Sequence, residues 1–273
     1  MCRMVGIISL RPLNPFKYLV GDECSLLVQA KKGSQGDGWG VGCYRDGRLT
    51  CVIKSSRPVY EEEGLFKALC RVLESDIIIA HVRKASNPRR LPRERLIAVE
   101  NSQPFHYKNY LFVHNGSLTL PDEVEERLGD YKALIKGVND SEVYFVYLIK
   151  EWEAYGDALK ALKAVEEGLW DVWKRGRKGG VDAPYSSLNA IFSDGRRLYA
   201  VSRYLEKWRE KRSLCYGDSE YFRMAYKLDG ESLVVASERT DRGEWRTLSD
   251  GEVLIAELKD GRIEHRVVSL KTV

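Results

Sequence analysis

The sequence lacks the features that define membrane proteins, secreted proteins and many nucleotide-binding proteins. No segment approaches the roughly 20 apolar residues of a membrane-spanning helix. The opening residues, MCRMVGIISL, are interrupted by charge too soon for a signal peptide. Residues 36–42 are rich in glycine but contain Trp39 and no Lys-Ser/Thr pair, so they do not form a phosphate loop. We therefore expect a cytoplasmic protein with no membrane contact.

Cysteine is infrequent and is not spaced for metal binding. The 6 cysteines include no CxxC pair, so zinc-type spacing is absent, and a secreted disulfide framework is not expected at this length. They are Cys2, Cys24, Cys43, Cys51, Cys70 and Cys215. We expect all but Cys2 to be small buried hydrophobes, although the sequence leaves open a disulfide of the kind found in the cytosol of thermophiles. No metal and no cofactor are predicted.

The composition is that of a soluble globular protein. Of the 273 residues, 44 % are hydrophobic and 31 % are charged, and the formal net charge is +4. The hydrophobic fraction is sufficient for a buried core. The net charge is too small to indicate a nucleic-acid partner by itself. The high charged fraction would suit a thermophile with surface ion-pair networks.

The hydrophobic pattern predicts an α+β fold with strands at both ends of the chain and helices between them. Asp-Gly pairs between apolar runs are strong hairpin signals. Predicted strands cover Val5–Leu10, Trp39–Tyr44, Leu49–Lys54, Asp76–Val82, Tyr110–His114, Leu188–Phe192, Arg197–Val201, Ser232–Ala236, Val253–Leu258 and Arg262–Val268. Two such regions separated by helices can form two sheets packed face to face with helices outside.

Four helices are predicted from apolar residues at helical spacing. The first follows Pro58 and presents Leu65, Leu69, Val72 and Leu73; the second starts at Leu120–Asp122; the third is capped by Asp140 or Ser141 and runs to about Trp152; the fourth follows Tyr155 and presents Leu159, Leu162 and Val165. Residues 174–180 are basic and rich in glycine, which predicts a loop.

Cys2 is the strongest candidate for chemistry. Met1 is readily removed when the second residue is small, and removal would leave a thiol and a free amine on one residue. Their ordinary pKa values are about 8.5 for the thiol and about 7.7–8.0 for the amine. The amine could therefore serve as a base for the thiol near neutral pH without a histidine. The simpler interpretation is a cysteine that happens to be second.

Three later segments supply groups that this chemistry needs. In HVRKAS, residues 81–86, Arg83 and Ser86 could hold a carboxylate. In HNG, residues 114–116, the Asn115 amide and the Gly116 N–H could form an oxyanion hole, although Asn-Gly usually indicates only a turn. In NDSE, residues 139–142, Asp140 could cap a helix or receive an ammonium group.

These motifs, in this order, resemble the class II glutamine amidotransferases. The resemblance rests on MC at the start, HVRKAS, FVHNG at 112–116 and NDSE. GDGWG at 36–40, SLNAIFSDG at 187–195 and ASE at 236–238 resemble the branch in which the glutaminase domain is the whole protein. The resemblance implies an N-terminal-nucleophile hydrolase with a four-layer αββα sandwich. It also implies that residues 2–273 form a single domain, with Met1 removed.

The resemblance assigns a role to each candidate. Cys2 would be the nucleophile and its own amine the base, and Asn115 with the Gly116 N–H would stabilise the oxyanion. Arg83 would bind the α-carboxylate of glutamine, with Ser86 nearby, and Asp140 would bind its α-ammonium group. Trp39 and Gly40 would shape the wall beside the nucleophile.

Three positions depart from the family pattern. Lys84 stands where amidotransferases often have an aromatic residue, Asn87 where some have histidine, and Gln103 where histidine is usual. These departures leave the implied catalytic set intact. They put in doubt how the site closes and what the second substrate is.

Several alternatives remain open at this stage. The same residues could hydrolyse a γ-glutamyl peptide or conjugate, or could release ammonia from glutamine for a separate synthase subunit. A cysteine–histidine hydrolase could use His81 or His114. A non-catalytic module could bind nucleic acid through the basic loop 83–95, although it lacks interleaved aromatic residues for base stacking. The sequence also leaves a homo-oligomer open.

Overall fold

Two antiparallel β-sheets pack face to face, and helices cover the outer face of each. The described residues of the computed structural model are 2–176, 182–205 and 211–272. Their arrangement confirms the predicted α+β fold and its four αββα layers.

The first sheet has seven strands. In spatial order they are β11 (Arg246–Thr247), β9 (Ala225–Asp229), β10 (Ser232–Ala236), β1 (Arg3–Leu13), β4 (Ser75–Val82), β2 (Trp39–Arg45) and β3 (Arg48–Ser55). β1 is the middle strand and pairs antiparallel with β10 on one side and β4 on the other. The segment that follows Cys2 is therefore held from both sides.

The second sheet has six strands. In spatial order they are β13 (Arg262–Ser269), β12 (Glu252–Lys259), β8 (Arg197–Ser202), β7 (Asn189–Ser193), β6 (Tyr110–Asn115) and β5 (Phe105–Tyr107). β6 lies beside β7, with Asn115 opposite Asn189. Asn115 is thus the last residue of a strand inside the second sheet.

The helices form the two outer layers and the connections between strands. They are α1 (Leu26–Gly33), α2 (Glu63–Val72), α3 (Arg93–Leu96), α4 (Pro121–Glu125), α5 (Asp140–Tyr155) and α6 (Ala158–Gly176). Short helical turns cover Lys17–Gly21, Val99–Asn101, Gly129–Leu134 and Leu270–Thr272. None of the helices in the described ranges combines the length and apolarity needed to cross a membrane.

Three apolar cores separate the four layers. Between the sheets, Met4, Ile79 and neighbouring residues of the first sheet contact Val113, Ile191 and their neighbours of the second. α1 and α2 pack on the outer face of the first sheet, and α5 and α6 pack on the outer face of the second. β4 contributes to two of these cores, because Ile77 and Ile79 face the second sheet whereas Ile78 and Ala80 face the helices.

Local turn chemistry is reproduced where the sequence predicted it. Asp46 and Gly47 have positive φ angles of 50° and 74° and join β2 to β3. Asp-Gly pairs also stand in the turns between β7 and β8 and between β12 and β13, as predicted. The structure thus confirms the hairpins that the Asp-Gly pairs predict.

Three predictions about the helices are wrong in detail. Leu69 and Leu73 pack against the outer core as expected, but α2 buries Phe66 and Cys70 and leaves Leu65 and Val72 exposed, because the face that contacts the sheet is rotated from the expected one. The cap of α5 is Asn139, whose side chain accepts the Ser141 N–H, and not Asp140 or Ser141. The predicted loop 174–180 begins as helix up to residue 176, and its remainder, 177–180, lies outside the described residues.

Candidate active site

Cys2 lies at the start of β1 on the side that faces the second sheet. It precedes Met4, a residue of the core between the sheets, by two positions and so points the same way. Its sulfur is 3.4 Å from the Lys84 N–H nitrogen and 3.5 Å from the Lys84 carbonyl oxygen. Burial raises the pKa of the Cys2 thiol, while the Lys84 N–H and the positive charge of Arg83 act in the opposite direction.

Arg83 continues from β4 into the segment beside Cys2. Its backbone forms hydrogen bonds to residues 37 and 38, and its Nη1 donates to the carbonyls of Asp37 at 3.1 Å and Leu96 at 2.8 Å. Burial lowers the pKa of the guanidinium, and the nearby charges of Cys2, Asp37 and Asp140 oppose that shift. The hydrogen bonds described for this guanidinium use Nη1 alone, which leaves Nε and Nη2 for a ligand.

Asp140 and Ser86 meet at the N-terminus of α5. The Ser86 hydroxyl donates to one carboxylate oxygen of Asp140 at 2.7 Å, and the Leu118 N–H donates to the other at 2.8 Å. Asp140 is almost fully buried, and its charge is close enough to influence both Cys2 and Arg83. The structure therefore brings a carboxylate and a guanidinium to the same thiol.

Asn115 presents a buried side-chain amide with nothing bound to it. The residue is fully buried, and neither its oxygen nor its nitrogen has a hydrogen-bond partner among the described residues. Leaving a buried polar group unpaired typically costs about 1–3 kcal/mol. Because its hydrogen-bonding groups are unpaired, the Asn115 amide at the end of the strand is available to bind a ligand.

Gly116 must be glycine for packing reasons. A Cβ on this residue would lie 2.0 Å from the Ser187 carbonyl oxygen and 2.6 Å from Nε2 of His114. No side chain fits such a space. The backbone after Asn115 is thus held close to the second sheet.

Gly40 and Trp39 face opposite sides of the first sheet. Gly40 pairs with His81, and a Cβ on it would lie 2.4 Å from the Gln103 carbonyl oxygen, so it permits the close approach of residues 103–104. The side chain of Trp39 instead packs on Phe66 and donates to Glu62 at 2.8 Å in the outer core. The expectation that the Trp39 side chain forms a wall beside Cys2 is wrong, because strand alternation directs it to the helices.

The whole length of the chain matches one family. The model for "Glutamine amidotransferases class-II" matches residues 1–271. The chain belongs to the class II glutamine amidotransferase family. That membership confirms the resemblance on which the site residues were assigned.

Relatives of this amidotransferase include a protein of yeast and an archaeal synthase. It is 25 % identical to the "probable glutamine amidotransferase DUG3" of Saccharomyces cerevisiae, over 93 % of this chain and 81 % of that protein. It is 28 % identical to 7-cyano-7-deazaguanine synthase 2 of Sulfurisphaera tokodaii, over 59 % of this chain and 33 % of that protein. In the synthase, a region like this chain forms part of a longer protein.

A solved structure supports the fold. A glutamine aminotransferase class-II domain protein from Silicibacter pomeroyi superposes with a TM-score of 0.66 at 20 % identity, over 98 % of this chain and 100 % of that one. At this identity the likeness concerns the fold alone. It agrees with the αββα layers described above.

Both histidines near the site of the amidotransferase are ill suited to act as a base. The two ring nitrogens of His114 lie 2.9 Å from the Ser141 hydroxyl and 2.9 Å from the Ser187 carbonyl, so both are engaged. The His81 ring is buried without a hydrogen-bond partner among the described residues, and burial lowers its pKa to about 3. At neutral pH neither ring is ready to accept a proton from Cys2.

Gln103 supports the strand that ends in Asn115. Its side-chain oxygen accepts the His114 N–H at 2.5 Å, and its nitrogen lies 3.3 Å from the His114 carbonyl oxygen. The side chain thus holds the backbone just before Asn115. Sequence reasoning identified Gln103 only as a departure from the family pattern.

A buried ion pair beside Cys2 was not predicted. Arg3 contacts Glu238 at 2.9 Å, and Glu238 also accepts the N–H groups of Leu214 at 2.8 Å and Cys215 at 2.6 Å. Cys215 forms a disulfide with Cys24, with their Cα atoms 6.0 Å apart. The expectation that these two cysteines are free buried hydrophobes is therefore wrong. The motif ASE at 236–238 was the available signal for Glu238.

The disulfide also affects the metal question. Cys24, Cys215 and Glu238 are the one group of potential metal ligands found among the residues that the structure describes. Two of the three are bonded to each other in the disulfide. This group therefore gives no support for a metal site.

Three of the six basic residues in the loop 83–95 are buried or ion-paired within the protein. Arg83 is buried, Arg89 pairs with Asp122 and Glu125, and Arg93 pairs with Asp37. These three arginines are therefore engaged in contacts within the protein. That use weakens the case for a phosphate-binding surface.

Proposed function

We propose that this class II glutamine amidotransferase hydrolyses a γ-glutamyl amide with Cys2 as its thiolate nucleophile. The observation that carries the proposal is the buried Asn115 amide, which has no partner among the described residues. Its neighbours His114 and Leu118 contact Ser141 and Asp140, and Asp140 lies near Cys2 and Arg83. An unpaired buried amide is what an oxyanion hole requires. We further propose a single domain of residues 2–273, with Met1 removed.

The reaction follows from these positions. The free amine of Cys2 takes the thiol proton, and the thiolate attacks the amide carbon of the substrate. Asn115 and the Gly116 N–H donate to the tetrahedral oxyanion. The carbon–nitrogen bond then breaks as the ammonium group returns its proton to the leaving nitrogen. Water attacks the γ-glutamyl thioester, which releases glutamate and restores the thiol.

The residues around Cys2 would hold the amino-acid end of the substrate. Arg83 can donate Nε and Nη2 to the α-carboxylate, and Asp140 can accept from the α-ammonium group while Ser86 and Leu118 fix its carboxylate. These groups orient the side-chain amide carbon of the substrate toward a sulfur that is already in place, which is how proximity contributes.

Two substrate classes fit this site. One is free glutamine, with ammonia passed to a separate synthase subunit, and the similarity to a synthase from Sulfurisphaera tokodaii supports it. The other is a γ-glutamyl peptide or conjugate. A cytoplasmic location and the oligomeric state remain predictions.

The two alternatives from other classes have less support. A cysteine–histidine mechanism would need a histidine with a free nitrogen and an ordinary pKa, which neither His81 nor His114 offers. A nucleic-acid module would need free cations along residues 83–95, several of which are paired or buried.

Covalent trapping tests the proposal. Chains with and without Met1 are incubated with an electrophilic glutamine analogue and examined by intact mass and peptide mapping, and ammonia release from glutamine and from γ-glutamyl peptides is measured in parallel. We expect one adduct, on Cys2, in the processed chain. Hydrolysis should fall by roughly 10⁴-fold or more when Met1 is retained or Cys2→Ala is introduced. Equal rates for processed and unprocessed chains would refute the role of the amine.

A further inference from the structure

Lys84 lies against the nucleophile and points away from the groups assigned to the substrate's amino-acid end. Its backbone contacts the Cys2 sulfur, and its exposed ammonium is 3.4 Å from the Gly33 carbonyl oxygen at the end of α1. The side chain of Arg83, its neighbour, instead extends toward Leu96. These different contacts place the two cations on different sides of Cys2.

Lys211 also lies near the first residues of the chain, although it is distant from them in the sequence. Its ammonium is 4.1 Å from the centroid of the Tyr221 ring, and the Arg3 guanidinium carbon is 3.6 Å from the same centroid. Arg3 directly follows Cys2. The pKa of Lys211 is lowered, first by partial burial and then by the positive charges of Arg3 and Lys84. Lys84 thus lies beside Cys2, and Lys211 lies on the aromatic ring that also contacts the next residue, Arg3.

Neither ammonium is neutralised by a carboxylate within the described ranges. Glu238, the acidic residue next to Arg3, already binds that arginine and two backbone N–H groups. Two lysines without an acidic partner create a region of positive potential, which attracts anions. The unpaired charge therefore indicates the sign of the ligand expected here.

We propose that Lys84 and Lys211 form a subsite for a negatively charged leaving group, such as the free carboxylate of a γ-glutamyl peptide. This inference rests on the proposed hydrolase function. With the amino-acid end held by Arg83 and Asp140, the leaving group extends to another side of Cys2, where these lysines stand. Ammonia leaving from glutamine offers no negative charge to them. Lys84 is also one of the positions at which the chain departs from the usual family pattern.

Matched peptide substrates test the subsite. Processed enzyme is assayed with γ-glutamylglycine, which has a free carboxylate, and with γ-glutamylglycinamide, which does not. We expect kcat/KM for the acid to exceed that for the amide by roughly tenfold or more, since hydrogen bonds to charged groups are worth that much. In the double variant Lys84→Met, Lys211→Met the ratio should fall toward one. In the wild type, added salt should reduce it.

A matched control separates charge in general from charge at this place. Lys259→Met removes one lysine from the β12–β13 hairpin, and it should leave the ratio at its wild-type value. Equal use of both substrates by the wild type, or an equal loss on both in the double variant, would overturn the subsite while leaving the hydrolase function intact. If neither peptide nor glutamine is cleaved and Cys2→Ala behaves like the wild type, the proposed function itself fails.

Discussion

Two asparagines at the two ends of β6 are used in contrasting ways. The side chain of Asn109, just before the strand, accepts the Leu49 N–H at 2.8 Å and donates to the carbonyls of Gly47 at 2.8 Å and Asp194 at 2.6 Å. The side chain of Asn115, the last residue of the strand, has no partner within the described ranges. An asparagine thus joins two hairpin turns at the start of β6, whereas an asparagine at the end of β6 has unpaired hydrogen-bonding groups.

The difference shows where to look for a binding site in this fold. A cleft of about 680 Å³ lies at the Asn109 end and is lined by the turns that contain Gly47 and Gly195. Its polar groups satisfy one another, as when Arg197 pairs with Glu257. The Cys2 end instead holds the buried side chains of Asn115 and His81, which have no hydrogen-bond partner among the described residues. Unpaired buried polar groups, and not the volume of a cleft, are therefore the basis for the proposed site.

Replacing Asn115 should separate activity from stability most sharply. Asn115→Ala should reduce kcat by roughly 10²–10³-fold, the usual loss for one oxyanion-hole donor. The free energy of unfolding should stay near the wild-type value or rise, because no hydrogen bond is lost and a buried unpaired amide is removed. Steady-state kinetics and denaturant titration measure the two quantities.

Asn109→Ala is the matched control for that experiment. It should lower the free energy of unfolding by about 1–3 kcal/mol, because backbone groups of both turns lose their partner. Hydrolysis should stay close to the wild-type rate. The comparison breaks if Asn109→Ala impairs hydrolysis as much as Asn115→Ala, or if Asn115→Ala proves the less stable of the two.

The Cys24–Cys215 disulfide allows a second test of the difference between the two ends of β6, because it stabilises the region near Cys2. The double variant Cys24→Ser, Cys215→Ser should lower the free energy of unfolding by about 2–5 kcal/mol. Amide exchange should quicken at Leu214 and Cys215, whose N–H groups bind Glu238, more than around Asn109. Adding a reductant to the wild type should reproduce the loss, and adding it to the double variant should have no further effect. A reductant-sensitive double variant would contradict this assignment.

The last test concerns the pH dependence of the free energy of unfolding. Burial lowers the pKa of His81 to about 3, so between that value and its ordinary pKa of 6.5 only the unfolded chain takes up the proton. The contribution of His81 to stability is complete above about pH 6.5. It declines by up to about 1.4 kcal/mol per pH unit as the pH falls toward 3. His81→Asn should flatten the fall in unfolding free energy between pH 6.5 and 4, whereas His106→Asn, at an exposed edge position, should flatten it less. Parallel curves for wild type and His81→Asn would count against the buried neutral imidazole.

The sequence predicted features that neighbouring residues determine, and it did not predict features that depend on contacts between distant segments. The hairpin at Asp46-Gly47 was predictable because two residues fix its turn. The burial of Phe66 in place of Leu65 was not, because both are apolar and only the position of the sheet selects between them. The Cys24–Cys215 bond spans 191 residues and follows from how distant segments meet.

The candidate site shows the same division. Ordered motifs identified Arg83, Asn115 and Asp140, since the family uses the same residue types in the same order. The side of the sheet that Trp39 faces depends on the strand register, and its motif carries no signal for that register. The ion pair of Arg3 with Glu238 joins residues that are far apart in the sequence. It could not be predicted because it depends on how the strands pair.

The place of β1 in the middle of its sheet has a consequence for the proposed nucleophile. The first residues of a polypeptide usually fray, and a reactive group there would spend most of its time out of alignment. Here β4 pairs with the strand from Arg3 onward, and β10 pairs with its other edge from Val5 onward. After removal of Met1, the thiol and amine of Cys2 would therefore be held in position by the paired strand that follows them.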